Sequence, residues 1–182
     1  MNGSNKLIIG IVGDMGSGKS TAAAYISEKY GAARYSFSDM LKHILEYLRL
    51  PISRDNLIDL FLVLAPRFGE DVLARPMKEN VAADPHELIV VESIRRDADI
   101  AELRKLPGFC LLGLTSDLKT RFERIRERGE RSDDASKSFE EFVADHERKT
   151  ESGIPDMVAG ADFKIDNNGS ISEMQDAIDK II

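Results

Sequence analysis

The sequence predicts an α/β fold, a three-layer α/β/α sandwich around a five-stranded parallel sheet. Three observations carry this. Short apolar runs recur along the 182 residues, each followed by a longer segment of helical periodicity. The runs are apolar throughout rather than alternating, as strands covered on both faces should be. The first run also passes into the first helix through a glycine-rich turn, Gly13-Asp14-Met15-Gly16-Ser17-Gly18-Lys19-Ser20, which fits G-x-x-x-x-G-K-[S/T]. In such a sheet, ligands bind at the C-terminal ends of the strands.

The elements follow in order. Leu7–Val12 is rich in β-branched residues and reads as the first strand; Thr21–Tyr30 is a helix ended by Gly31. Ala33–Phe37 is the second strand, after which Ser38 caps a helix running to Leu48, with Pro51 beyond it. Ser53 caps a helix from Arg54 to Phe68, whose Leu57, Leu60, Phe61 and Leu64 form a stripe suited to a core or a dimer surface. A further helical stretch spans Glu70 to Ala83, with a kink expected at Pro76. Glu87–Glu92 is the third strand, Asp97–Lys105 a helix stopped by Pro107-Gly108, and Phe109–Thr115 the fourth strand. Ser116 caps a basic helix reaching Gly129, and residues 130–137 read as a loop. Ser138 and Glu141 form a capping box for a helix ending near Gly153-Ile154-Pro155. Asp162–Asp166 is the fifth strand, and Ser170 with Glu173 boxes the last helix.

Composition sets the outer bounds. With 31% charged and 42% hydrophobic residues, the chain has the make-up of one ordinary globular domain. A net charge of −7 argues against a nucleic acid or anionic membrane as partner, so any anion site must be a local cluster of cations. No apolar run is long enough to span a bilayer and residues 1–6 lack a signal-peptide pattern, so a cytoplasmic protein is expected. Cys110 stands alone in an apolar run, and His43, His86 and His146 lack metal-ligand spacing.

The glycine-rich turn identifies the chemistry. Its glycines let successive backbone N–H groups point at phosphate oxygens, and the following helix adds the positive end of its dipole. Lys19 reaches the β- and γ-phosphates and Ser20 ligates Mg²⁺, which makes ATP and Mg²⁺ the expected cofactors. Gly13, Asp14, Met15, Gly16, Ser17, Gly18, Lys19, Ser20 and Thr21 form the nucleotide-binding set.

The remaining motifs resemble those of the P-loop nucleoside monophosphate kinase superfamily. Ser36-Phe37-Ser38-Asp39-Met40-Leu41-Lys42 is similar to the S-T-G-D-M-L-R of adenylate kinases, with Lys42 in place of the phosphate-binding Arg. Glu92-Ser93-Ile94-Arg95-Arg96 departs from D-G-x-P-R but keeps an acid first and an arginine last. Arg124-x-x-x-Arg128 resembles the R-x-x-x-R that precedes the lid and, with Arg121, Arg126 and Arg131, makes a cationic cluster. Ala161-Asp162-Phe163-Lys164-Ile165-Asp166-Asn167-Asn168-Gly169 looks like the A-D-x-x-I-D-N-N-G of dephospho-coenzyme A kinases, where the backbone after the last strand borders the adenine.

That resemblance implies roles. Lys19, Arg124 and Arg128 stabilise the transferring group. Ser38, Lys42, Arg95 and Arg96 hold a small-molecule, nucleotide-type acceptor. Glu92 serves the metal with Ser20, Asp39 is the candidate base, and Asn167 borders the nucleotide. It implies a core of about residues 1–37, 85–128 and 139–182, an acceptor-binding helical insert at 38–84, and a short lid at 129–138. The expected activity is transfer from ATP to a nucleoside or deoxynucleoside monophosphate, the alternatives being dephospho-coenzyme A kinase and a nucleotide-gated assembly factor of kinase-like fold. Arg148 does not align with the second arginine pair of larger adenylate kinases without a gap.

Overall fold

A computed structural model describes residues 6–128, 138–146 and 153–182. Five strands, β1 (Leu7–Gly13), β2 (Ala33–Ser36), β3 (Leu88–Glu92), β4 (Phe109–Thr115) and β5 (Phe163–Asp166), form a single parallel sheet in the order β2-β3-β1-β4-β5. Every neighbouring pair runs parallel, with Ile8 opposite Ile89 and Phe109, and Ser36 opposite Glu92. All the strand C-termini therefore meet along one edge, with the β1 turn central among them.

Side-chain alternation along the strands divides the core into two apolar layers. Ile8, Val12, Ile89, Val91 and Leu111 join one cluster with Phe37, Leu41, Met77, Val81, Leu103 and Met157. Ile9, Ile11, Val90, Leu112 and Leu114 join the other with Ala22, Ala23, Ile26, Met174 and Ile178. The second cluster brings α1 (Lys19–Tyr30) and α9 (Ile171–Asp179) onto one face. The first gathers α2 (Phe37–Tyr47), α4 (Ala74–Ala83), α5 (Asp97–Leu103) and α8 (Ile154–Ala159) on the other. Between them in sequence lie α3 (Arg54–Phe68), α6 (Leu118–Arg128) and α7 (Phe139–His146). The predicted three layers are present.

Several boundaries move for identifiable reasons. The helix after β2 begins at Phe37, with Ser36 rather than Ser38 as its boundary residue and no side-chain cap, and the Phe37 ring is buried in its first turn. Glu70–Leu73 forms turns, so α4 starts at Ala74 and Pro76 becomes its third residue. There its missing N–H removes no intrahelical bond, and the expected kink has no cause. Ser116 does not cap α6: it donates instead to Asn168 Oδ1 at 3.0 Å, and Asp117 supplies the first carbonyl, accepting from Arg121 N–H. Pro155 opens the short helix α8 instead of ending α7, its fixed φ suiting a first turn. Both capping boxes, Ser138 with Glu141 and Ser170 with Glu173, are made in both directions. Among the described residues no helix is long and apolar enough to cross a membrane.

Leu112 is 1% exposed near the middle of β4, packed into the α1/α9 layer. Leu112→Ala should lose about 2–5 kcal/mol of unfolding free energy in urea titrations. A loss below about 1 kcal/mol would mean that the layer repacks freely around β4.

Candidate functional site

The site is built around the turn between β1 and α1. Gly16 and Gly18 have φ values of 80° and 98°, which favour glycine, and neither position has room for a side chain. A Cβ on Gly16 would lie 2.6 Å from the Arg121 carbonyl oxygen, and one on Gly18 would meet the Asn167 amide nitrogen. The backbone can curl here only because these residues lack a Cβ.

Two side chains from distant strands fix the curl. Asn167, buried just after β5, donates through Nδ2 to the Ser17 carbonyl at 2.8 Å, while its own N–H reaches the Thr115 carbonyl at 2.8 Å. Arg121, 5% exposed on α6, donates to the Met15 carbonyl at 3.3 Å and the Ser116 carbonyl at 3.0 Å. Its guanidinium also stands 3.7 Å from the Asp14 carboxylate and faces the Phe142 ring. Burial lowers the Arg121 pKa, opposed by Asp14.

Lys19 folds back across the turn, donating to the carbonyls of Gly13 at 2.6 Å and Asp14 at 2.7 Å. Its pKa falls to about 7, first because burial disfavours the ammonium and next because Arg95 repels it; Asp14 and Glu92 pull the other way. Ser17 Oγ is buried with no hydrogen-bond partner among the described residues. A curl that excludes side chains, a withdrawn lysine and an unsatisfied hydroxyl together fit a bound polyphosphate. Ser20 and Thr21 are exposed at the start of α1, on the open side of the turn.

A cavity of about 360 Å³ opens beside the turn, lined by Gly16, Gly18, Lys19, Arg124, Asn167 and Met174 among others. Arg124 is held at its edge, donating to Ser116 Oγ and the Gly169 carbonyl, each at 3.4 Å. Arg128 ends α6, but its side chain lies outside the described residues, as do residues 129–137 of the expected lid, Arg131 and Arg148.

At the ends of β2 and β3 the structure sorts the acceptor-side residues. Ser36 makes no side-chain capping bond to α2; its hydroxyl donates to Ser93 Oγ at 3.1 Å and lies 2.9 Å from Ser38 Oγ. Ser38 and Ser93 are 3.2 Å apart, closing a triangle of hydroxyls. Glu92 is buried and bound to Arg34 at 2.6 Å. Arg95 is close enough to Lys19 to repel its charge. Arg96, its neighbour, turns away: it binds the fully buried Asp99 at 2.9 Å and stacks over the Phe61 ring at 3.7 Å. Asp39 and Lys42 bind each other at 2.6 Å along α2, both partly exposed. Of the predicted acceptor-side set, Ser38 joins the hydroxyl triangle and Arg95 acts on the charge of Lys19, while Arg96 is bound to Asp99 and Lys42 to Asp39.

Sequence reasoning did not single out Arg34, Ser36, Arg54 or Ser93 for the site. Arg54, the first residue of α3, places a guanidinium nitrogen 2.9 Å from Met15 Sδ, bringing α3 to the turn. Among the described residues, no group of three or more His, Cys, Asp or Glu side chains could hold a metal by itself. A Mg²⁺ here would rely on Ser20, phosphate oxygens and water, which is how that ion is ordinarily held beside a nucleotide.

The comparisons agree with this architecture. A family model described as an AAA domain matches residues 9–146. A UPF0200 protein of Methanocaldococcus jannaschii is 30% identical over 180 residues, covering 97% of this chain and 89% of the relative. Among solved structures, TT1252 from Thermus thermophilus superposes with a TM-score of 0.63 at 20% identity, covering 97% of this chain and 96% of that one. Shikimate kinase from Bacteroides thetaiotaomicron also reaches 0.63, at 14% identity and 96% of both chains. The glycine-rich turn, the all-parallel sheet and these likenesses converge: the chain is an AAA-domain protein, belongs with the UPF0200 proteins and shares its fold with shikimate kinase.

Proposed function

We propose that the protein is a phosphotransferase that moves the γ-phosphate of Mg-ATP to a nucleoside or deoxynucleoside monophosphate. The observation that carries this is the grouping at the C-terminal edge of the sheet. A phosphate cradle with a withdrawn lysine shares that edge with Arg95, whose charge acts on Lys19, and with the serine hydroxyls that follow β2 and β3. The kinase-like fold supports phosphoryl transfer, and the neighbouring shikimate kinase is named for that chemistry on its own substrate.

Phosphoryl transfer asks a protein mainly for positioning and charge neutralisation. Lys19, released from the Gly13 and Asp14 carbonyls, takes the β- and γ-phosphate oxygens, and Arg124 and Arg128 meet the spreading charge from α6. Ser20 would hold a Mg²⁺, with Glu92 serving it, and that ion would supply further charge neutralisation. A phosphate oxygen of the acceptor forms the new bond to the γ-phosphorus as the bond to the β,γ-bridging oxygen breaks, and ADP leaves. The insert at 38–84 would carry the acceptor, and residues 129–138 would close over the pair.

An anionic acceptor suits the carboxylates of this site. Asp39 is held by Lys42, Glu92 by Arg34 and Asp99 by Arg96, while Asp14 faces Arg121. A hydroxyl acceptor profits from a carboxylate that takes its proton, whereas a phosphomonoester is already a nucleophile and needs none. The tail resemblance keeps dephospho-coenzyme A in the comparison, with Asp39 as the base once freed from Lys42.

A coupled assay with a panel of nucleoside and deoxynucleoside monophosphates and dephospho-coenzyme A decides among the readings. Transfer to one monophosphate is the expected result. Transfer only to dephospho-coenzyme A would replace the reading, and ATP loss without any phosphorylated acceptor would point to the assembly factor. Lys19→Ala should lower transfer by at least about 100-fold without changing the far-UV spectrum; wild-type rates would remove Lys19 from the chemistry.

The depressed Lys19 pKa gives a pH signature. The free protein loses the ammonium as pH rises through about 7, while phosphate oxygens favour the charged form. Nucleotide binding must then take up a proton, so ADP affinity should fall by up to about tenfold per pH unit above 7 until the bound-state pKa is reached. Titrations from pH 6.5 to 9.5 check this, and a flat profile would show that Lys19 stays charged in the free protein.

A further inference from the structure

The end of α2 carries an apolar surface left open by the described residues. Among those residues twelve large apolar side chains are exposed, and five of them, Ile44, Tyr47, Leu48, Leu50 and Ile52, fall within nine consecutive positions. Tyr47 is 91% exposed. We propose that two copies of this chain pair about a two-fold axis through this surface, with Glu46 of each copy set against Arg49 of the other. The pairing goes beyond the phosphotransferase reading and does not depend on it.

The local structure presents the surface. Phe37, Leu41 and Leu45, spaced four apart, give one face of α2 to the core. Ile44, Tyr47 and Leu48 stand beside that face, where with His43 they line a shallow hollow of about 320 Å³. The chain leaves the helix through Arg49, whose φ of 59° is a left-handed value that glycine ordinarily supplies at a helix end. Arginine is strained there where glycine would not be, which points to a use for its charge. Across this turn the Leu50 N–H bonds the Leu45 carbonyl at 2.9 Å, so Leu50 is tied to the helix end with its side chain about half exposed.

Size and charge select a second copy as the occupant. The five side chains expose on the order of 500 Å² of apolar surface, the upper range for the largest patch on a monomer. Two copies closing on each other would remove about 1,000 Å² in total, the threshold for a specific interface. The chain bears a net charge of −7, so two copies repel where acidic surface meets acidic surface. Residues 44–52 hold one acid, Glu46, and one base, Arg49, both exposed, and are neutral together. A two-fold axis uses this pair twice, setting each Glu46 against the partner's Arg49 with no like charges facing. Tyr47, between them in sequence, is a residue type enriched at the centres of such contacts.

Sedimentation of the full chain tests the pairing. The wild type should dimerise with a dissociation constant on the order of 10 µM or tighter. Tyr47→Asp, at a site too exposed to matter to the monomer's core, should weaken pairing at least about thirtyfold with an unchanged far-UV spectrum. Glu46→Arg and Arg49→Glu should each weaken it at least about tenfold alone. Mixed in equal amounts the two variants should pair again, because each carries the charge that the other lacks. The double variant should pair as the wild type does.

A wild type that stays monomeric at about 200 µM, well above that constant, would overturn the proposal. In such a monomer, slowed hydrogen exchange over residues 44–52 on adding a nucleoside monophosphate would give the surface to the acceptor instead. A dimer indifferent to Tyr47→Asp would place the interface elsewhere on the chain and overturn it equally. Single charge reversals that pair no better mixed than apart would overturn the two-fold contact between Glu46 and Arg49.

Discussion

The phosphate turn cannot hold its own shape, and most of what surrounds it exists to hold it. A segment of glycines and short side chains aims its N–H groups at a ligand instead of at its own carbonyls, so it gains little from internal hydrogen bonding. Here the shape is imposed from two sides. Asn167 reaches in from the end of β5 to Ser17, and Arg121 reaches in from α6 to Met15. A buried guanidinium carries a desolvation penalty of several kcal/mol, offset only by well-made bonds. The Met15 and Ser116 carbonyls and the nearby Asp14 carboxylate supply that compensation. Gly16 packs directly on the Arg121 backbone, so the helix that leads toward residues 129–137 and the turn that cradles phosphate form one unit.

How much of this was legible depended on whether the signal was local. The turn announces itself by residue types at fixed spacing, and the five strands by unbroken apolar runs. The capping boxes at Ser138 and Ser170 follow from a four-residue pattern. What failed to show was direction. Arg95 and Arg96 are adjacent and alike in sequence, yet one acts on the charge of Lys19 and the other is captured by Asp99, three residues along the chain. Arg121 looks like any member of a basic helix until packing against Phe142 and the turn withdraws it from solvent. Pro155 reads as a stop when its neighbours are unknown and as a start once a new helix follows it.

The distribution of charge follows from the same constraint. An acidic chain has gathered Arg34, Arg54, Arg95, Arg121 and Lys19 near one edge of its sheet, and several meet a carboxylate there. Arg34 binds Glu92, and Arg121 faces Asp14. Such pairing limits mutual repulsion among the cations before an anion arrives, and it holds each side chain near its working position. Charges ordered in advance need little reorganisation when the ligand comes, which is where much of the electrostatic power of an enzyme lies.

The same electrostatics explain why hydroxyls rather than further cations stand at the ends of β2 and β3. Lys19 is already lowered to about 7, and after burial the repulsion of Arg95 is the largest cause. A further arginine in that position would push the lysine further toward neutrality and weaken its hold on the nucleotide. Hydroxyls bind a phosphate oxygen with no charge of their own, so they add donors without adding repulsion. They also cost less to desolvate than a guanidinium. The left-handed turn at Ser93 is the corresponding cost, a local strain tolerated where the third hydroxyl must reach Ser36 and Ser38. The hydroxyls thus add neutral donors beside Arg95, so an anion can be met there with little further repulsion of Lys19.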